Sequence, residues 1–249
     1  MSILDSLRPR SALRVLVTAG AGGVGAAIAR AFHEAGSRVH VCDVDRSALD
    51  RLASRIPGIT GSMADASVPA DVDGVFDDVR GALGGLDVLV SNAGIAGPAG
   101  PIEAIDGVGW ERTIAVNLHS QFYFARRAVP LLKRSSLGPC LIATGPMAAH
   151  ASSDSRTACA TSHWAVIGLM RSLAVELGAH GIRVNAILPR SVEDAGVAPA
   201  GAIDGLRHAS IATRRSHTDH DVAALALFLC SPAARGLTGQ AISVGASTA

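Results

Sequence analysis

Apolar and polar positions along this chain follow two alternating periods. Short continuous apolar runs are each followed by a longer stretch in which apolar residues recur every three to four positions. The first run is Val15-Leu16-Val17, and a glycine-rich turn over 18–25 follows it. A helical pattern then covers 26–35 and Gly36 closes it; a second run over 39–42 delivers Asp43. The scheme repeats with a helix over 46–55, a weak strand over 58–63 leading to Asp65, and a helix over 68–83. A strand over 86–90 runs into Ser91-Asn92-Ala93-Gly94 and a Gly/Pro-rich loop over 95–101. One long helix spans 110–133, interrupted only by Pro130 near its end, and a strand follows over 140–144. A second long helix covers 157–178, and Pro189 stops a strand over 182–188. Residues 191–218 are polar and irregular, Asp219 caps a helix to Cys230, and the last strand covers 240–244. Apolar runs alternating with helices predict parallel βαβ crossovers: an α/β, doubly wound parallel sheet with helices on both faces. No linker or repeat divides the chain, so 1–249 reads as one domain with a short irregular N-terminus over 1–12.

Composition narrows the partners. Lys and Arg total 22 against 21 Asp and Glu, and no basic block stands out, so nucleic acid and anionic membrane are not expected partners. No apolar run reaches bilayer length and the first residues lack a secretory apolar region, which predicts a cytoplasmic protein. The four cysteines, Cys42, Cys140, Cys159 and Cys230, form no C-x-x-C and no disulfide framework. Cys42, Cys140 and Cys230 fall in strand or helix core patterns and read as packing.

The glycine-rich turn carries the first chemistry. Gly20, Gly22 and Gly25 fit G-x-G-x-x-G between a strand and a helix. Glycines let the backbone turn tightly beside a pyrophosphate, and the N–H groups of a helix N-terminus stabilise that anion. Asp43, at the tip of the second strand, can accept hydrogen bonds from an adenosine ribose. Its charge opposes a 2′-phosphate, so NAD is expected in preference to NADP.

Taken with Asp65, Ser91-Asn92-Ala93-Gly94, Val116-Asn117-Leu118, Gly181-Ile182-Arg183-Val184-Asn185, Pro189 and Thr238-Gly239-Gln240, the turn from Thr18 to Gly25 and Asp43 make the chain resemble the short-chain dehydrogenase/reductase family over nearly its whole length. The resemblance implies a Rossmann-type sheet of about seven strands with NAD(P) across the strand C-termini. It implies cofactor contacts from Thr18, Gly20, Gly22, Gly23, Val24, Gly25, Asp43, Asp65, Asn92, Ala93, Gly94 and Pro189, with Asp65 at the adenine end. Asn117 would hold a water or orient the active site. A small-molecule alcohol or ketone would be the substrate, and the helices over 110–133 and 157–178 would form a homodimer or homotetramer.

Several positions depart from that family's pattern. Its turn begins Thr-Gly, and here Ala19 follows Thr18; a positive φ there would strain alanine by about 1 kcal/mol and weaken cofactor contact. Its Tyr-x-x-x-Lys unit is matched by Cys159 and His163, its catalytic Ser by Pro146, and the Gly after Pro189 by Arg190. In the family unit a Tyr hydroxyl protonates the nascent alkoxide, a Lys cation lowers its pKa, and the Ser hydroxyl holds the substrate oxygen. The only tyrosine, Tyr123, sits at a packing position of the earlier long helix. Thr144 is the nearest hydroxyl to the missing Ser.

Cys159 and His163 are spaced i,i+4 and share a helix face. They could act as an acid/base or nucleophilic pair, with a His cation favouring the thiolate. The simpler reading is a packing remnant with Cys as a small hydrophobe. No further ligands accompany them, so no metal site is expected. Around the mouth of the site, Arg190, Arg207, His208, Arg214, Arg215, His217 and His220 either hold an anionic substrate or decorate a solvated loop. Thr144 and Arg190 are the candidate substrate contacts. Three functions remain open: an NAD-dependent oxidoreductase of alcohols or ketones with an atypical site, a non-catalytic nucleotide-binding or subunit-assembly relative, and a lyase or isomerase using Cys159, His163 or Arg190.

Overall fold

A computed structural model describes residues 2–10, 12–145, 155–189 and 218–245. Seven strands form one parallel sheet: β1 (Arg14–Thr18), β2 (Arg38–Asp43), β3 (Thr60–Met63), β4 (Val88–Ser91), β5 (Cys140–Thr144), β6 (Arg183–Pro189) and β7 (Ala241–Val244). Their order is β3-β2-β1-β4-β5-β6-β7. The chain steps outward from β1 to β3, then returns to place β4 on the other side of β1. That reversal opens a crevice beyond the C-terminal ends of β1 and β4, where doubly wound sheets take their ligands.

Among the described residues the α-helices are α1 (Ile3–Ser6), α2 (Gly23–Glu34), α3 (Arg46–Arg55), α4 (Pro69–Leu83), α5 (Gly107–Ile114), α6 (Ser120–Leu132), α7 (Thr157–Gly178) and α8 (Asp219–Leu229). Central strands are buried on both faces because neighbouring residues serve opposite layers. Leu16 and Leu89 pack with Phe76, Phe124 and Leu177 on the α4, α6 and α7 side. Val15, Val17, Val88 and Val90 pack with Ile28, Phe32 and Val222 on the α2 and α8 side. Phe76 and Phe124 meet in a tilted pair with centroids 5.9 Å apart, joining α4 to α6. The sheet confirms the α/β doubly wound reading.

Four local expectations are corrected. The N-terminus is not wholly irregular: Ser2 Oγ accepts the Asp5 N–H and the Asp5 carboxylate accepts the Ser2 N–H, both at 3.1 Å, and this capping box starts α1. Asp219 is the first residue of α8 and not its cap; Thr218 is the cap, and its N–H donates to Asp221 at 2.8 Å. Helix α2 begins at Gly23, earlier than its apolar pattern, so Gly23, Val24 and Gly25 form its first turn. The helix expected over 110–133 starts at Gly107, where the Asp106 side chain caps it, and a π-helical turn over Ala115–His119 separates α5 from α6. Such turns insert a residue and reorient side chains, often at functional sites; here the turn carries Asn117 inward.

No helix of the described residues is long and apolar enough to cross a membrane.

Candidate functional site

The crevice is built around the end of β1. Thr18 is fully buried, and its hydroxyl oxygen accepts the backbone N–H of Asn92 at 2.8 Å and of Ala93 at 2.9 Å. One side chain thus ties the glycine turn to the segment after β4. Ala19 has φ +46°, so the strain expected there is present. Its carbonyl accepts from Asn92 Nδ2 at 3.2 Å, which holds the residue in that conformation. Gly20 N–H donates to the Cys42 carbonyl at 3.1 Å and seats the turn on β2.

Two glycines carry different constraints. A Cβ on Gly25 would lie 2.1 Å from the Ala19 oxygen and 2.7 Å from Asn92 Nδ2, so only glycine fits where α2 meets the turn. A Cβ on Gly22 would meet nothing within 4 Å. Gly22 is the exposed N-cap of α2, and no side chain caps that helix. The first-turn N–H groups, over Gly23 and the half-buried Val24, therefore face open space with the positive end of the helix dipole. The Asp43 carboxylate stands at the rim, held by the Ala21 N–H at 3.1 Å and the Asp45 N–H at 3.1 Å.

Asp65 lies beyond the end of β3. Ser67 donates to its Oδ1 through N–H at 2.9 Å and hydroxyl at 2.7 Å, and Arg112 of α5 pairs with its Oδ2 at 2.8 Å. Partial burial works to raise its pKa, but the Ser67 and Arg112 contacts outweigh that and hold it below the usual carboxylate value. Both oxygens are engaged within the chain.

A second cluster joins the π-turn to α7. Asn117 Oδ1 accepts the Ile95 N–H at 2.7 Å, and its Nδ2 donates to the Ile95 carbonyl at 3.0 Å and to Ser162 Oγ at 2.9 Å. Ser162 in turn donates to the Cys159 carbonyl at 2.8 Å. Gly94 is exposed beside this cluster, 3.6 Å from Asn117 Oδ1 when a Cβ is placed on it. Ser162 escaped sequence reasoning, although its place three residues after Cys159 puts it on the same helix face.

Cys159 and His163 do meet, with Sγ 3.6 Å from Nδ1. The His163 Nδ1 lies closer to the Cys159 carbonyl, at 2.8 Å, so its N–H goes there and Nε2 is left bare. Only 7% of Cys159 and 6% of His163 is exposed. Burial pushes the Cys159 thiol up, against the opposing charge of Arg156. Burial pushes His163 down, against the contact with the Cys159 carbonyl. Both shifts favour the neutral forms, which weighs toward the packing reading of this pair and against a thiolate beside a His cation. His163 packs on Gly145, where a Cβ would come within 2.3 Å of its Cδ2. Gly145 is a second position that the sequence alone did not single out.

Thr144 is also engaged within the chain. It is 8% exposed and its hydroxyl donates to Asn92 Oδ1 at 2.6 Å, so its proton is directed at Asn92. Pro189 is buried at the end of β6, in register with Val244. Tyr123 packs on α6 against Phe122 and His119. Pro146, Arg190, Arg207, His208, Arg214, Arg215 and His217 lie outside the described residues, and His220 is exposed on α8. No group of three or more metal-ligating side chains occurs among the described residues.

The arrangement can therefore hold an anion at the α2 N-terminus, bind hydroxyls at Asp43, and anchor α7 through Asn117 and Ser162. Known proteins show the same frame. A family model described as enoyl-(acyl carrier protein) reductase matches residues 19–246. The chain is 33% identical over 233 residues to D-threitol dehydrogenase of Mycolicibacterium smegmatis, covering 90% of this chain and 88% of that protein. A solved 7α-hydroxysteroid dehydrogenase, complexed with NADH and 7-oxo glycochenodeoxycholic acid, superposes with TM-score 0.93 at 28% identity over 100% of this chain and 98% of its own. A short-chain dehydrogenase from Burkholderia cenocepacia in complex with NADP gives TM-score 0.85 at 29% identity over 94% of this chain and 97% of its own.

Proposed function

The chain belongs to the short-chain dehydrogenase/reductase family, and from that premise we propose that it binds a nicotinamide dinucleotide across β1 and β4 and exchanges hydride with an alcohol or ketone. The observation that carries this reading is the glycine turn: closed against Ala19 at Gly25, open at Gly22, and leading into a helix without a side-chain cap. That cradle fits a pyrophosphate. When bound, the nicotinamide supplies or accepts the hydride. Gly22 and the first-turn N–H groups would hold the pyrophosphate, and Asp43 would accept from the ribose and disfavour a 2′-phosphate, so NAD is the preferred form. Asn92, Ala93 and Gly94 would back the nicotinamide end, and Asp65, oriented by Arg112, would face the adenine end.

Proton handling falls to an altered unit. Cys159 stands where the family places its Tyr, and its neutral thiol keeps a proton to donate. His163 offers a bare Nε2 and no cation to acidify that thiol. The expected consequence is slow turnover, because general acid catalysis depends on a donor poised near working pH. Asn117 and Ser162 would act by holding α7 in place.

The burial and neutrality of Cys159 and His163 favour a second reading, in which the protein binds nucleotide, or only assembles, without turnover. Assembly through the helices over 110–133 and 157–178 is common to both readings; it is supported by exposed apolar side chains there, including Phe122, Trp164 and Val175. Titration with NAD and NADH, followed by a nicotinamide-dependent screen of alcohols and ketones, tests the proposal. Binding with slow turnover is the expected result. Binding with no turnover on any substrate selects the second reading, and failure to bind either nucleotide refutes the first reading and leaves only assembly.

A further inference from the structure

A different site lies at the opposite edge of the sheet, where the strands begin. The start of β5, the start of β6, the end of α8 and the short helix α1 enclose an open cavity of about 650 Å³. Arg10, Arg183 and Arg235 line it, from three separate parts of the chain, and among the described residues no Asp or Glu does. Arg183 is part-buried and fixed, because its guanidinium donates to the carbonyls of Leu229 and Ala234. Arg10 and Arg235 are exposed and make no ion pair with any described carboxylate. Ser2 and Ser6 of the α1 segment line the cavity as well.

Ser231 adds an independent observation. It lines the cavity, is 1% exposed, and its hydroxyl has no hydrogen-bond partner among the described residues. A buried polar group without a partner is costly, and three cations facing one cleft repel each other. A ligand with several anionic oxygens removes the repulsion among the three cations. Guanidinium groups suit it because they present N–H pairs in the fork geometry that oxyanions match.

We propose that this cleft is a second binding site, taking a small oxyanion-rich metabolite, a phosphate ester or a polycarboxylate, between Arg10, Arg183 and Arg235. It is separate from the nucleotide crevice, since the two open at opposite ends of the strands. It does not rest on the proposed dehydrogenase activity.

Calorimetric titration of the full chain, kept in saturating NADH so that the glycine turn is not open to the probe, with pyrophosphate and, separately, with citrate at constant ionic strength tests the site. Saturable single-site binding of at least one probe is expected. Tighter binding of pyrophosphate would identify the phosphate-ester class, and tighter binding of citrate the polycarboxylate class. Arg10→Ala and Arg235→Ala should each weaken binding about tenfold or more, the loss expected for one charged hydrogen bond, while NADH titration stays unchanged. Both side chains are exposed and on different segments, so the variants retain the fold. Absence of saturable heat with both probes overturns the proposal. Binding that is equal in the parent and in both arginine variants also overturns it, by placing the anion elsewhere.

Discussion

Replacing Gly145 with alanine probes how the altered α7 unit is packed. A Cβ there would lie 2.3 Å from Cδ2 and 3.1 Å from Nε2 of His163. Carbon atoms settle about 3.5–4 Å apart, so the ring must move by roughly 1 Å. It is not free to do so, because His163 is 6% exposed and its Nδ1 is bonded to the Cys159 carbonyl at 2.8 Å. Overpacking of this kind costs about 1–3 kcal/mol. Gly145 does not have a positive φ, so alanine suits its backbone, and the stiffer unfolded chain returns about 0.4–1 kcal/mol. Gly145→Ala alone should therefore destabilise the protein by about 1 kcal/mol or more. In a His163→Ala background the obstacle is gone, and the same change should become neutral or stabilising. Urea unfolding of the four proteins of this cycle measures a coupling of about 1–3 kcal/mol. Additivity within about 0.5 kcal/mol would refute the packing of His163 on Gly145.

Further outcomes follow from other contacts. Asp87 is fully buried and accepts from the Arg14 backbone, Nε and Nη2 at 2.8, 2.9 and 2.8 Å and from Ser135 at 2.6 Å. Asp87→Ala strands Arg14, which keeps 27% exposure, so a loss near the lower end of the 3–5 kcal/mol range, about 3, is expected in urea unfolding. Burial works to raise the Asp87 pKa, but the Arg14 and Ser135 bonds outweigh it and hold it low in the folded state. The stability it contributes is thus present above the ordinary carboxylate pKa and lost as pH falls through the depressed one, and Asp87→Ala should flatten that acid loss; superimposable acid curves would contradict this. Asp43→Ser should shift the NADH-to-NADPH affinity ratio toward NADPH by about tenfold or more, read by fluorescence titration, and an unchanged ratio would remove Asp43 from the ribose site. Cys159, buried with its thiol pushed up, should resist iodoacetamide in native protein at neutral pH and react once unfolded in urea; fast native labelling would show an activated thiol.

Where local punctuation governed an element, its limits were legible. Helices α3 and α7 and strand β5 run over the residues that their apolar spacing marks, 46–55, 157–178 and 140–144. The glycine turn and Asp43 were readable because their geometry is set within one βαβ unit. The π-turn was not: it places Asn117 against Ile95, 22 residues earlier, and no helical period encodes that contact. The i,i+4 spacing of Cys159 and His163 announced their contact, but their neutral state comes from burial among segments distant in sequence. Thr144 read as a substrate hydroxyl because it ends a strand; its bond to Asn92, 52 residues away, directs its proton there. Arg14 and Asp87 are 73 residues apart, and only the pairing of β1 with β4 brings them together.

The central claim is that a dinucleotide pyrophosphate sits on the glycine turn, and Gly22→Asp tests it most directly. Gly22 has the extended backbone of an N-cap, φ −143° and ψ 166°, and open space for a side chain. Aspartate there should cap α2 and leave the melting temperature equal or higher, while its charge repels the pyrophosphate. Calorimetric titration with NADH should show binding to the parent protein and a loss of about tenfold or more in the variant. Equal binding by both proteins, or none by the parent, would contradict the account.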